Sequence, residues 1–201
     1  MKKGFTLAEV LITLGIIGVV AALTLPTLTA NTQTAKIGPK LAKAVSSFEQ
    51  ANEALLSANS VDAVSDIEYD DASAYFNALT NYIKGTVISS SGSVTLTTND
   101  NTAYIIGSIS APTTTNAPHK NKIGSIVVNI NPNAEISEQG TNLFNFTLWD
   151  DGSLRPQGAR EWNGDSGDVT WKDKCPKDAK PTAPEYCAGH IFENNLKVLY
   201  K

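Results

Sequence analysis

The residues of this 201-residue chain whose types could do chemistry are few and scattered, with Glu9 and the two cysteines nearest its ends. Glu9 stands at the entrance of a long apolar run, where a carboxylate either rests among solvated headgroups or finds a cation to pair with. Cys175 and Cys187 are the two cysteines, so they can supply one disulfide at most and cannot build a four-cysteine zinc site. No CxxC spacing exists to make them a redox pair. Asp165 and Asp168, with Asp150 and Asp151 nearby in sequence, offer oxygen ligands of the kind that hold calcium. The full EF-hand pattern is absent, and solvated turn residues are the plainer reading of these acids. His119 and His190 stand far apart with Ser and Asp between them. A catalytic triad would need a nucleophile elbow such as Gly-x-Ser-x-Gly, which the chain lacks, so the histidines read as surface or packing residues. A net charge of -4 gives no general attraction for nucleic acid. The expectation is a non-enzymatic protein with no cofactor, calcium being the one candidate ligand.

The element that positions Glu9 is the apolar run itself. Residues 10–35 carry no charge, and the densest part, Val10 to Leu28, is Leu, Ile, Val, Ala and Gly with a few Thr. As a helix that part rises about 28 Å at about 1.5 Å per residue, close to the roughly 30 Å of bilayer hydrocarbon. Lys2 and Lys3 precede it, so the excess of positive charge keeps the N-terminus cytoplasmic and places residues after about 30 outside. Gly15, Gly18 and Ala22 notch the helix for close approach of neighbours. Pro26 removes an amide donor and is expected to kink or locally melt it. An ordinary secretory signal is the competing reading. It has Glu9 against it, and its best cleavage site, after Ala30, puts Leu28 where a small residue is wanted.

The run Lys2-Lys3-Gly4-Phe5-Thr6-Leu7-Ala8-Glu9-Val10-Leu11 resembles the processing signal of type IV pilins and type II secretion pseudopilins. The resemblance extends to Pro26. It implies cleavage after Gly4 by a membrane aspartyl prepilin peptidase and methylation of the new terminal amine, that of Phe5. The helix would be retained, anchoring the subunit in the inner membrane until an assembly machine extracts it into a filament built on these helices. In such filaments the partner of Glu9 would be the Phe5 amine of a neighbouring copy.

Beyond the apolar run, Ile37, Leu41, Val45, Phe48, Ala51 and Leu55 recur at helical spacing between Lys36, Lys40, Lys43, Glu49 and Glu53. This predicts an amphipathic helix. Gly38-Pro39 interrupts the pattern and makes its start uncertain. Residues 57–70 read as a loop, and Asp71 to Ile83 as a shorter helix with Tyr75, Phe76, Leu79 and Tyr82 facing inward. From Thr86 onward the pattern turns to strand. Ser93–Thr98 and Thr102–Ile106 form a hairpin around Asn99-Asp100-Asn101. A Pro- and Thr-rich link covers Ala111 to Pro118. Ile123–Ile130 is a third strand and Leu143–Trp149 a fourth, closed by Asp150-Asp151-Gly152. Short connections imply antiparallel pairing. The predicted fold class is α+β, a long N-terminal helix packed against a C-terminal antiparallel sheet.

Val127 to Pro132, Leu154-Arg155-Pro156 and Tyr186 to Asn194 resemble, more weakly, the ends of larger pilin-like proteins from Gram-negative bacteria. Many of those have Asp-Ile-Asn-Gly where this chain has Asn129-Ile130-Asn131-Pro132. Outside the cytoplasm Cys175 and Cys187 are expected to pair, contributing roughly 3 kcal/mol; two free, buried thiols are the other possibility. Trp149, Trp162 and Trp171 could line a partner surface, though tryptophan in a small head is usually core. Asn145-Phe146-Thr147 fits a glycosylation acceptor but falls inside a predicted strand.

The expected organisation is a leader at 1–4, a membrane and filament-core helix at 5–30, its amphipathic continuation at 31–56 and an extracytoplasmic head at 57–201. The expected role is a prepilin that polymerises with itself or related subunits, with a type IV pilus favoured over a type II pseudopilus by the large head and disulfide loop. From another class, the alternative is a secreted or anchored binding or hydrolytic domain with an atypical signal.

Overall fold

The computed structural model describes Gly4 and residues 6–67, 69–113, 122–159 and 171–200. The chain divides into two compact units, Met1–Lys36 and Ile37–Lys201. Helix α1 (Leu7–Asn59) begins in the first and ends in the second.

In the first unit α1 is apolar around its whole circumference. Leu7, Leu11, Ile12, Leu14, Ile16, Ile17, Val19 and Val20 are all exposed, as is Leu23. Leu7–Thr24 is long and apolar enough to cross a membrane. The helix continues through Pro26, so the local melting expected there does not occur.

The second unit is an α+β fold. Six antiparallel strands form one meander in chain order: β1 (Gly85–Ser90), β2 (Ser93–Thr98), β3 (Ala103–Thr113), β4 (Lys122–Asn129), β5 (Leu143–Trp149) and β6 (Leu154–Pro156). Period-two alternation puts Leu96, Tyr104, Ile126, Val128, Phe144, Phe146 and Leu148 on one face, all buried. Against that face α1 sets the stripe Leu41, Val45, Phe48, Ala51 and Leu55, also buried, as the helical spacing requires. The Phe48 ring lies 4.9 Å from that of Tyr104, centroid to centroid, and 6.4 Å from that of Phe76.

Several sequence expectations are corrected here. The sheet has six strands, because β1 and the three-residue β6 flank the four expected ones. Strand β3 runs on into the Ala111–Thr113 part of the expected link. Helix α2 (Ala72–Leu79) is shorter than Asp71 to Ile83. Asp71 is its N-cap, accepting from the Ala74 amide at 2.8 Å, and Thr80 is its C-cap. Beyond that cap the helical period stops applying, which leaves Tyr82 exposed rather than inward-facing. Gly38 and Pro39 lie inside α1 instead of delimiting it.

Polar groups on α1 tie it to the sheet side. Lys40 Nζ donates to the Ile130 carbonyl at 3.1 Å, and Lys43 pairs with Asp100 at 2.9 Å. The Tyr104 hydroxyl donates to the Ala44 carbonyl at 2.8 Å, and a Glu49 oxygen accepts from the Leu154 amide at 3.0 Å. In the core, the Tyr75 hydroxyl donates to Asn52 Oδ1, both residues being fully buried. Tyr75→Phe should therefore cost about 1–3 kcal/mol by stranding that oxygen, read as a lower urea midpoint of the head with unchanged slope.

Candidate functional site

The first group of functional candidates sits where α1 begins. Thr6 precedes the helix and Glu9 lies in its first turn. The Thr6 amide and hydroxyl both donate to Glu9 Oε2 at 2.8 Å, while the Glu9 amide donates to Thr6 Oγ1 at 3.3 Å. This reciprocal pair is a capping box, which satisfies amide donors that a helix start leaves unpaired. One carboxylate oxygen, Oε2, is thus used within the chain. Thr6 is a neutral partner of Glu9 inside the chain that the sequence reading did not name. Thr6-x-x-Glu9 ahead of an apolar run is a readable capping-box pattern.

Gly4 is exposed, and nothing lies within 4 Å of a Cβ built on it. Phe5, Lys2 and Lys3 lie outside the described residues. Gly15 and Gly18 are equally open, with no atom within 4 Å of a built Cβ. The notches read from the sequence are therefore unfilled by the chain's own side chains.

The second group is at the C-terminus. Cys175 and Cys187 form a disulfide, with their Cα atoms 5.3 Å apart. The bridge joins the end of α3 (Trp171–Lys174) to the start of α4 (Cys187–Glu193). Helix α4 contributes Ala188 and Ile191 to the core, and Phe192 meets Phe146 edge to face at 5.9 Å. Close backbone approaches seat this segment. A Cβ on Gly189 would lie 2.6 Å from the Ala159 amide nitrogen, and Gly140, at φ 79°, packs on Cys187. The tail thus has more apolar anchoring than its composition suggests, and the cross-link reinforces it. Cys175→Ser should destabilise the segment by about 3 kcal/mol and speed proteolysis at Lys177 and Lys180 under oxidising conditions. Unchanged cleavage would remove the staple role.

The remaining candidates are dispersed. Asp165, Asp168, Trp162 and His119 lie outside the described residues. Asp150 is buried and accepts from the Ser65 amide and hydroxyl, each at 2.8 Å, while Asp151 accepts from the Ser153 amide at 3.1 Å. These two acids shape turns. Among the described residues no three His, Cys, Asp or Glu side chains are grouped to hold a metal ion. Trp149 is buried, and Trp171 Nε1 donates to Glu193 at 2.8 Å. Asn145 and Thr147 lie within β5, Asn145 accepting from Gln139 Nε2 at 3.1 Å. His190 is fully buried, its Nδ1 2.8 Å from the Cys175 carbonyl oxygen.

No curated protein and no solved structure matches the chain. The family comparison does return a match, and it falls on the Gly4-Phe5 and Thr6–Glu9 segment and the apolar helix after it. Residues 1–25 fit the model described as the prokaryotic N-terminal methylation motif, so this chain carries the processing signal of type IV pilins and pseudopilins at the head of a membrane-grade helix.

Proposed function

We propose that this protein is a structural filament subunit, cut after Gly4 by a prepilin peptidase, methylated on the Phe5 amine and polymerised through α1. The observation that carries the reading is the coincidence of the methylation motif over residues 1–25 with a helix whose described large apolar side chains from Leu7 to Leu23 are all exposed. Such a surface is stable only in lipid or against other apolar helices. Before assembly, lipid would cover it; in the polymer, neighbouring copies would.

In that polymer Glu9 pairs with the Phe5 amine of an adjacent copy. A carboxylate and an ammonium enclosed together in a low-dielectric core cancel each other's charge, and either alone would be strongly disfavoured. The pairing also sets the axial register between copies. The head, residues after the apolar run, is then extracytoplasmic, which agrees with the Cys175–Cys187 disulfide. A type IV pilus fits better than a type II pseudopilus because the head is large and closes with a disulfide loop. A calcium site at Asp165 and Asp168 is not part of this reading.

Mass analysis with N-terminal sequencing of the native protein tests it. A methylated Phe5 start is the expected result. A start at Asn31 would leave no polymerising helix and overturn the assignment in favour of a secreted domain. Electron microscopy of sheared surface fibres then separates pilus from pseudopilus.

A further inference from the structure

The C-terminal clasp is built around one titratable side chain that the proposed polymerisation does not use. His190, on α4, is fully buried. Its Nδ1 lies 2.8 Å from the Cys175 carbonyl, and since a carbonyl only accepts, Nδ1 carries the proton. That fixes the neutral tautomer with an unprotonated Nε2, which is buried and has no hydrogen-bond partner among the described residues. The Trp171 ring stands edge to face with the imidazole at 4.8 Å and the Tyr200 ring at 5.2 Å, centroid to centroid. One imidazole therefore touches α3, the disulfide loop and the last residues of the chain.

We propose that His190 is an acid-sensitive pin for this clasp: a proton on Nε2 has no acceptor among the described residues of the closed arrangement, so protonation releases α3, the 175–186 loop and residues 197–200 from around the ring together. Among the charged groups of the packed elements, Lys177 disfavours a proton on the ring. From the loop, the Lys177 charge opposes a second cation, while Asp178 there and Asp173 on α3 are exposed and Glu185 is half-exposed, so water screens these acids. From the C-terminal segment, the Tyr200 hydroxyl is spent on the Gly140 carbonyl. From α4 itself, the Glu193 carboxylate is the one group whose sign favours the imidazolium, and it accepts from Trp171 Nε1. The strands under α4 bring one charged residue, Arg155 on β6, which is also cationic. Burial, with Lys177, holds the imidazole below its ordinary range, against the Cys175 carbonyl that raises it. The open clasp therefore binds the proton more readily than the closed one. Its stability is complete above about pH 6.5 and falls as the pH drops below that value.

The test is amide hydrogen exchange of the full-length, oxidised protein in detergent micelles, between pH 7.5 and 5 and corrected for intrinsic exchange. Opening of 171–186 and 197–200 should rise by up to about tenfold per pH unit below pH 6.5, the limit for one linked proton. Strand β4 should keep its protection, and His190→Gln, which can still donate to the Cys175 carbonyl, should flatten the response. Equal acid dependence in the variant, a flat profile in the native protein, or a parallel rise in β4 would each overturn the proposal. Should His190→Gln not fold, the native contrast between the clasp and β4 decides.

Discussion

Glu9→Val should leave membrane insertion intact while cutting filament yield by roughly tenfold or more, the scale expected when one charge of a desolvated pair is left without the other. Insertion survives because the substitution makes the helix more apolar at its polar end. The capping box complicates the reading of that variant, because valine also removes the acceptor for the two Thr6 donors. Glu9→Gln separates the two roles. Glutamine serves at the same capping position, so the helix start is kept while the negative charge is lost. If charge pairing with the Phe5 amine drives assembly, Glu9→Gln assembles as poorly as Glu9→Val. If the cap alone matters, Glu9→Gln assembles normally and Thr6→Ala fails. Filament mass recovered by shearing, normalised to membrane-inserted subunit, distinguishes these outcomes, and normal yield from Glu9→Val would count heavily against the pairing.

What could be read from the sequence was what rests on a strong period or on a residue type with one dominant use. The run from Val10 to Leu28 is apolar at every phase, so its membrane-grade character needs no tertiary information. The stripe from Leu41 to Leu55 and the alternation of β2, β4 and β5 follow directly from one buried face each. The features missed have local patterns that contradict or under-determine the outcome. Strand β1, Gly-Thr-Val-Ile-Ser-Ser, leaves Ile88 exposed, so its pairing with β2 rather than a buried face defines it. Strand β6 is three residues long and includes Pro156. At the candidate site, Glu9 and the cysteines stood out by type, whereas the Thr6 cap needed the spacing to be checked. His190 stood out by type, but its burial could not be read, because the Trp171 and Tyr200 rings that contact it lie on either side of it in sequence.

Gly38-Pro39 is the sharpest case of local chemistry overruled by packing, and it carries the other large effect. As sequence, the pair breaks a helix. In the structure, α1 runs through it, because glycine here admits a neighbour that no side chain would. A Cβ on Gly38 would lie 1.8 Å from the Leu196 carbonyl oxygen and 2.6 Å from its carbon. Both are backbone atoms, so no rotamer change relieves the overlap. The segment that brings Leu196 there is itself constrained, with Asn195 at φ 55° and Leu196 at φ 61°. Consecutive left-handed residues without a glycine are costly and persist only where the surroundings enforce them. Leu196, Val198 and Tyr200 pack against the core on either side of that crossing. Gly38→Val should thus expel the C-terminal segment and destabilise the head by about 4 kcal/mol, above the usual range for overpacking because the clash is with main chain. Gly107→Ala is the control. Its Cβ would meet nothing within 4 Å, and the change should stay within about 0.5 kcal/mol of the native protein. Urea unfolding of the two variants side by side measures the difference, and a Gly38→Val head as stable as the native one would mean that Leu196 does not cross the helix at this point.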